Sequence, residues 1–200
     1  MNTDSPLLQA ETLVVQQKAK LFELRNQYQL LDGTGQPIGA VEQVNQSALT
    51  VLARIFSQLD VALPMQLEIR DATGLAVLHI QKPWFRMRVE VLDSAGTLLG
   101  TIRKQIRLGK ARFLLLDPGG NVVGEVQAQN WRARDFVIND ASGVEVARVA
   151  KQWAGIAKEL FTDADNYAIH LSPSLAGPLR GLAIGSAWAI DIIMKQKDTN

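Results

Sequence analysis

The chain contains no cysteine in its 200 residues. That excludes a disulfide framework, thiolate metal ligands, a cysteine nucleophile and a palmitoyl anchor, and leaves a reducing compartment open. Histidine is nearly absent too: only His79 and His170 occur, each on a predicted strand among apolar neighbours and without companion ligands. Both read as structural. No Gly-x-Ser-x-Gly, Walker A or His-Glu-x-x-His motif is present, so hydrolase, nucleotide triphosphatase and zinc protease readings lack their minimal parts, and no catalytic constellation is left. A large excess of either sign of charge is missing as well, the formal net charge being +1, so any electrostatic partner must be read from where charges sit. Residues 1–11 carry Asp4 and Glu11 but no basic stretch before a long apolar run. They read as a flexible N-terminus of a cytoplasmic protein without a signal peptide.

What is present is a repeat. Asp-x-x-Gly occurs at Asp32, Asp71, Asp93, Asp117 and Asp140, the last four spaced 22, 24 and 23 residues apart. Apolar side chains stand four and two residues before each Asp: Tyr28 and Leu30, Leu67 and Ile69, Val89 and Val91, Phe113 and Leu115, Phe136 and Ile138. Period two marks a half-buried strand. Beyond each turn, apolar residues return at the sixth position (Ile38, Val77, Leu99, Val123, Val146) and the ninth (Val41, Ile80, Ile102, Val126, Val149). Asp accepts hydrogen bonds from backbone groups just ahead of it and Gly tolerates positive φ, so each motif closes a hairpin. The seventh position is mostly small (Gly39, Leu78, Gly100, Gly124, Ala147), which predicts a close approach or a bulge.

Five hairpins give ten strands, and segments near 12–18 and 167–171 add two. Twelve antiparallel strands avoid exposed edges by closing, so the expected fold is mainly β, a closed twelve-stranded antiparallel barrel. A single domain over 12–197 is expected, interrupted by an amphipathic helix at about 45–61, where Ala48, Leu52, Ile55 and Leu59 recur at helical spacing. An apolar helix at about 178–195 follows Pro178. Its charge-free run, Gly181 to Ile190, would span about 15 Å against the roughly 30 Å of a hydrocarbon core, and Arg180 and Asp191 bracket it. Gly177, Gly181, Gly185 and Ala189 form a small-residue stripe that suits a helix threading the barrel lumen. Gly33-Thr-Gly35-Gln-Pro-Ile-Gly39 has the wrong spacing for a dinucleotide loop and is absorbed by the first hairpin.

Residues 150–171, AKQWAGIAKELFTDADNYAIHL, and the helix LRGLAIGSAWAIDIIMKQ, with LPMQLEIRDATGLAVLHIQKPWF, resemble the phospholipid scramblase family over most of residues 26–195. The resemblance extends to the tubby-like and LURP-one-related barrels and implies a barrel wrapped around its C-terminal helix. It also implies lipid binding, membrane association and calcium-dependent mixing of phospholipids between leaflets. The proline-rich tail and cysteine cluster of the animal proteins are absent. Loss of the acyl anchor leaves only a peripheral association or none. The family's calcium segment would fall on Asp163, Asp165 and Asn166 and run to Ser174. Measured against an EF-hand loop it departs at Tyr167, Ala168 and Ser174, so it implies weak calcium affinity. By its residues alone, Asp163 and Asp165 cap a turn before the last strand.

In an up-and-down meander the five Asp turns share one rim and the connections share the other. The connecting rim then collects Lys82, Arg86, Arg88, Arg103, Lys104, Arg107, Lys110, Arg112, Arg132 and Arg134, with Trp84, Trp131 and Trp153 in the same segments. Basic residues interleaved with indoles suit an anionic phospholipid membrane surface. The same set would also suit nucleic acid phosphates, or be a solvated rim with tryptophans plugging the barrel end. A scaffold that recognises a protein partner or nucleic acid and moves no lipid is the alternative. A barrel holding an apolar ligand beside the helix is a third reading.

Overall fold

The computed structural model describes residues 5–17, 27–44, 64–83, 88–107, 110–130, 135–150 and 166–194. A one-turn helix, α1 (Pro6–Gln9), leads into β1 (Thr12–Gln17), β2 (Gln27–Leu31), β3 (Pro37–Val44), β4 (Met65–Asp71), β5 (Ala76–Lys82) and β6 (Arg88–Asp93). There follow β7 (Leu98–Arg107), β8 (Lys110–Leu116), β9 (Val122–Asn130), β10 (Asp135–Asp140), β11 (Glu145–Ala150), β12 (Tyr167–Leu171) and a long helix α2 (Gly177–Met194). Each strand pairs antiparallel with its chain neighbours, and β1 pairs β12, so the sheet is a closed barrel with no free edge. The predicted helix at 45–61 lies outside the described residues.

The repeat acts through local chemistry. In the fifth turn, Asp140 Oδ1 accepts from the Ser142 and Val144 backbone N–H groups at 2.9 and 3.0 Å and from the Ser142 hydroxyl at 2.6 Å. The Gly143 N–H donates to the Asp140 carbonyl at 3.0 Å, with φ of Gly143 at +86°. All five turns repeat the backbone bond to Gly and the positive φ. After every turn the register slips by one: Leu30 faces Gly39 while Leu31 faces Pro37, and equivalent slips follow Ile69, Val91, Leu115 and Ile138. The extra residue is the sixth-position one (Ile38, Val77, Leu99, Val123, Val146), so two consecutive residues turn toward the lumen. Where the seventh residue is glycine its size is forced, although the second hairpin seats a buried Leu78 there. A Cβ on Gly124 would stand 2.5 Å from the Asn139 carbonyl oxygen, and one on Gly39 2.6 Å from Leu7 Cδ1.

α2 threads the lumen. Residues 181–190 are all buried, and Gly181 and Gly185 lie against Leu99 and Val91. Opposite Gly100 and Gly124 sit Leu182 and Leu179. These contacts place the N-terminus of α2 at the turn rim and send its C-terminus toward the connecting rim. Among the described residues no helix is long and apolar enough to cross a membrane.

One expectation is corrected. Residues 5–11 are not a flexible lead: Leu7 and Leu8 are 0% and 3% exposed and belong to the core. The buried Arg180 guanidinium holds them, donating through Nε to the Leu8 carbonyl, through Nη2 to that of Ala10 at 2.7 Å and through Nη1 to that of Leu175 at 2.9 Å. Burial pulls the Arg180 pKa below its ordinary value, and the charge of Glu11 opposes that. Three carbonyls substitute for the water that burial removes.

Candidate functional site

Acidic groups mark the turn rim, where Arg70 also reaches the Gly74 carbonyl through Nη1 at 2.8 Å. At the turn rim stand five aspartates held ionised below the usual carboxylate range. Hydroxyl donors dominate at Asp32, Asp71 and Asp140, from Thr34, Thr73 and Ser142. At Asp117 the Asn121 amide dominates. Burial opposes the lowering at Asp93, where the Thr97 N–H and other donors outweigh it. Glu145 is likewise lowered by its hydrogen bonds from Arg148, and Arg148 raised by the same pairing at 2.7 and 2.9 Å.

The candidate basic site lies in the connecting half of the barrel. Strand alternation decides which way its members point. Val89, Ile102 and Phe113 are fully buried in the core. Their neighbours Arg88, Arg103 and Arg112 therefore stand on the outer wall of β6, β7 and β8. Arg88 Nη2 pairs with Glu90 at 2.8 Å. Arg112 donates through Nε to Gln105 at 2.7 Å and through Nη1 to Glu125 at 3.2 Å. Arg103 is exposed.

Lys82 requires a correction: it is 3% exposed, not a surface residue. Two positions beyond Ile80, which is fully buried, it keeps the inward phase of β5. Lys104 stands in the same relation to Ile102, and its Nζ is also buried. Both make interactions of their own. Arg107 and Lys110 close β7 and open β8, paired with each other, with side chains outside the description. Trp84, Arg86, Trp131, Arg132, Arg134 and Trp153 lie outside the described residues.

Of the calcium segment, Asp163 and Asp165 also lie outside. Asn166 is 2% exposed and already engaged within the protein. Among the described residues no group of three acidic or histidine side chains is placed to hold a metal. His79 Nδ1 faces Glu68 at 3.6 Å and His170 Nδ1 faces the Thr12 hydroxyl at 3.4 Å, both as cross-strand pairs. Sequence reading missed Glu90, Gln105 and Glu125 as partners of the arginines. Arg88-x-Glu90 shows period-two spacing, but the other two pairings need the register.

Comparison with known proteins gives a consistent result. A family model described as Scramblase matches residues 2–195. The chain is similar to a phospholipid scramblase family protein of Schizosaccharomyces pombe, 24% identical over 188 residues, covering 86% of this chain and 49% of that protein. Phospholipid scramblase 1 of Mus musculus is 24% identical over 217 residues, 97% of this chain and 64% of that one. The chain thus spans about half to two thirds of the length of these curated relatives. An X-ray structure of a protein from Arabidopsis thaliana superposes with a TM-score of 0.52 at 14% identity, covering 96% of both chains, and shows the same fold.

Proposed function

The chain belongs to the scramblase family, and on that footing we propose that it is a scramblase-like, peripheral lipid-associating module whose barrel meets anionic phospholipid membranes with its connecting half. The observation that carries this reading is the distance between two features, the ring of turn aspartates and the cluster of wall arginines. Five ionised aspartates crowd the turn rim, while Arg88, Arg103 and Arg112 stand together on the wall toward the other. An anionic surface attracts the second region and repels the first, which orients the barrel as it approaches. Each basic residue near such a surface adds about 1 kcal/mol, an attraction that fades within a Debye length of about 8 Å at physiological salt.

Co-sedimentation with vesicles tests it. Binding is expected to phosphatidylserine-containing vesicles at low salt, to weaken as salt rises, and to be far smaller with phosphatidylcholine alone. Equal recovery with both vesicle types would remove the reading. Dithionite quenching of labelled lipid in reconstituted vesicles, with and without calcium, then separates docking from transport. Exchange above protein-free vesicles assigns lipid movement to this chain, and binding without exchange leaves a docking module.

A further inference from the structure

Strand pairing by itself disfavours what the outer wall of β6–β8 carries. Arg88 and Arg103 are directly opposite each other in the β6–β7 register. Opposite residues on one face have Cβ atoms about 4.5–5.5 Å apart, and like charges there are destabilising. Arg112 adds a third guanidinium. It stands opposite Gln105, two residues along the same face from Arg103, and so is a diagonal neighbour at roughly 7–8 Å. The carboxylates within reach are committed to the flanks, Glu90 to Arg88 and Glu125 to Arg112. Arg103 makes no hydrogen bond or ion pair with any described residue, and its neighbour on β8, Leu114, has no charge to offer. Among the described residues three arginines against two glutamates leave +3 − 2 = +1, centred on an exposed fork that no described carboxylate pairs.

We infer that Arg103, flanked by Arg88 and Arg112, is a binding site for a single phosphodiester group of an anionic membrane phospholipid; this rests on the membrane-docking reading above. A guanidinium matches two phosphate oxygens with two parallel N–H donors, which a lysine ammonium cannot do. The charge count selects the singly charged diester, which brings the cluster to neutrality. The pairing of Arg88 with Glu90 and of Arg112 with Glu125 engages the flanking side chains, so among these three described arginines the central fork is the one left to the ligand. The cross-strand repulsion is the cost in stability that such a site imposes on the bare fold.

The test separates the site from diffuse attraction and from structure. Arg103→Gln is expected to weaken binding to phosphatidylserine-containing vesicles about fivefold, the effect of one basic residue beside an anionic surface. At low salt the same variant should melt at or above the wild-type temperature, because it relieves the repulsion from Arg88. Arg103→Lys keeps the charge but not the fork and should recover only part of the binding. Arg148→Gln, far from the cluster and bound to Glu145, should leave binding unchanged. If the wild type binds and Arg103→Gln binds equally, the site is wrong and the docking reading stands. Equal losses from Arg103→Gln and Arg148→Gln, full recovery with Lys, or a lower melting temperature for Arg103→Gln would each overturn the site. Failure of the wild type to bind either vesicle overturns both.

Discussion

Gly74 of the second hairpin and Gly100 of the third occupy different positions of the repeat and are needed for different reasons. A Cβ on Gly100 would overlap the Leu116 carbonyl oxygen and come within 2.9 Å of Leu182 Cδ1, so the constraint is space. At Gly74 nothing lies within 4 Å, and the constraint is φ at +84°. Gly100→Ala should therefore destabilise the barrel by about 1–3 kcal/mol through overpacking. Gly74→Ala should cost about 1–2 kcal/mol through left-handed strain. Asn distinguishes them: it tolerates positive φ and should largely restore position 74, while making position 100 worse, as read by urea denaturation. The turn aspartates add a pH signature. Their folded pKa values lie below the ordinary value, so the unfolded chain binds protons first as pH falls. Stability from these turns is complete above about pH 4 and lost as pH drops through the lowered values. Asp71→Asn keeps an acceptor for Thr73 and Leu75 but cannot titrate, so melts between about pH 5 and 2 should show a shallower decline than wild type. An unchanged slope would remove Asp71 from the account.

Elements differ in how far their placement could be read in advance. The hairpins are local, since Asp, Gly and the flanking period-two residues meet within about a dozen positions, so strands and turn rim followed from spacing. The small seventh position left a close approach or a bulge open, and the structure shows both, with the extra residue at the sixth. α1 is not local. Leu7 and Leu8 carry no periodic signal, and their burial is decided by Gly39 and by Arg180, far along the chain. Arg180 read as a bracket to an apolar run and proved to be the clamp that closes the turn end. Lys82 sits in a segment that composition assigned to the surface, although the inward phase of Ile80 already pointed the other way. The wall arginines were legible as candidates, yet their mutual opposition appears only once the bulges set the register. Removing Arg180 tests the clamp. Arg180→Met removes the donor from the buried Leu8 and Leu175 carbonyls and the part-buried Ala10 and Ser172 carbonyls and should cost about 3 kcal/mol. Deleting residues 1–10 should destabilise separately through loss of Leu7 and Leu8, each worth about 1.5–3 kcal/mol of burial. Because the two changes share partners, the double variant should lose less than the sum, and strict additivity in denaturation curves would mean that the clamp does not couple them.

At the scale of the molecule the helix and the wall form one core, with Gly181 and Gly185 of α2 seated on Leu99 and Val91. Gly185→Leu should thus lower the melting temperature of the whole barrel by an overpacking cost of about 1–3 kcal/mol, in a single transition. A second, earlier transition would mean that helix and wall unfold apart. The closure of the barrel also has a consequence in time. The β1–β12 seam joins residues such as Thr12 and His170, 158 positions apart, and α2, which fills the lumen, follows β12 in the chain. A ribosome delivers β1 through β12 before it delivers the residues around which they must close. Until α2 emerges, the nascent strands present a lumen face rich in Leu, Ile and Val with nothing to cover it. Contacts of such sequence separation form slowly, and uncovered strand edges during synthesis invite aggregation. Nascent chains halted before Gly177 should remain protease-sensitive and engage holdase chaperones, and release of the full chain should bring protection to all twelve strands together.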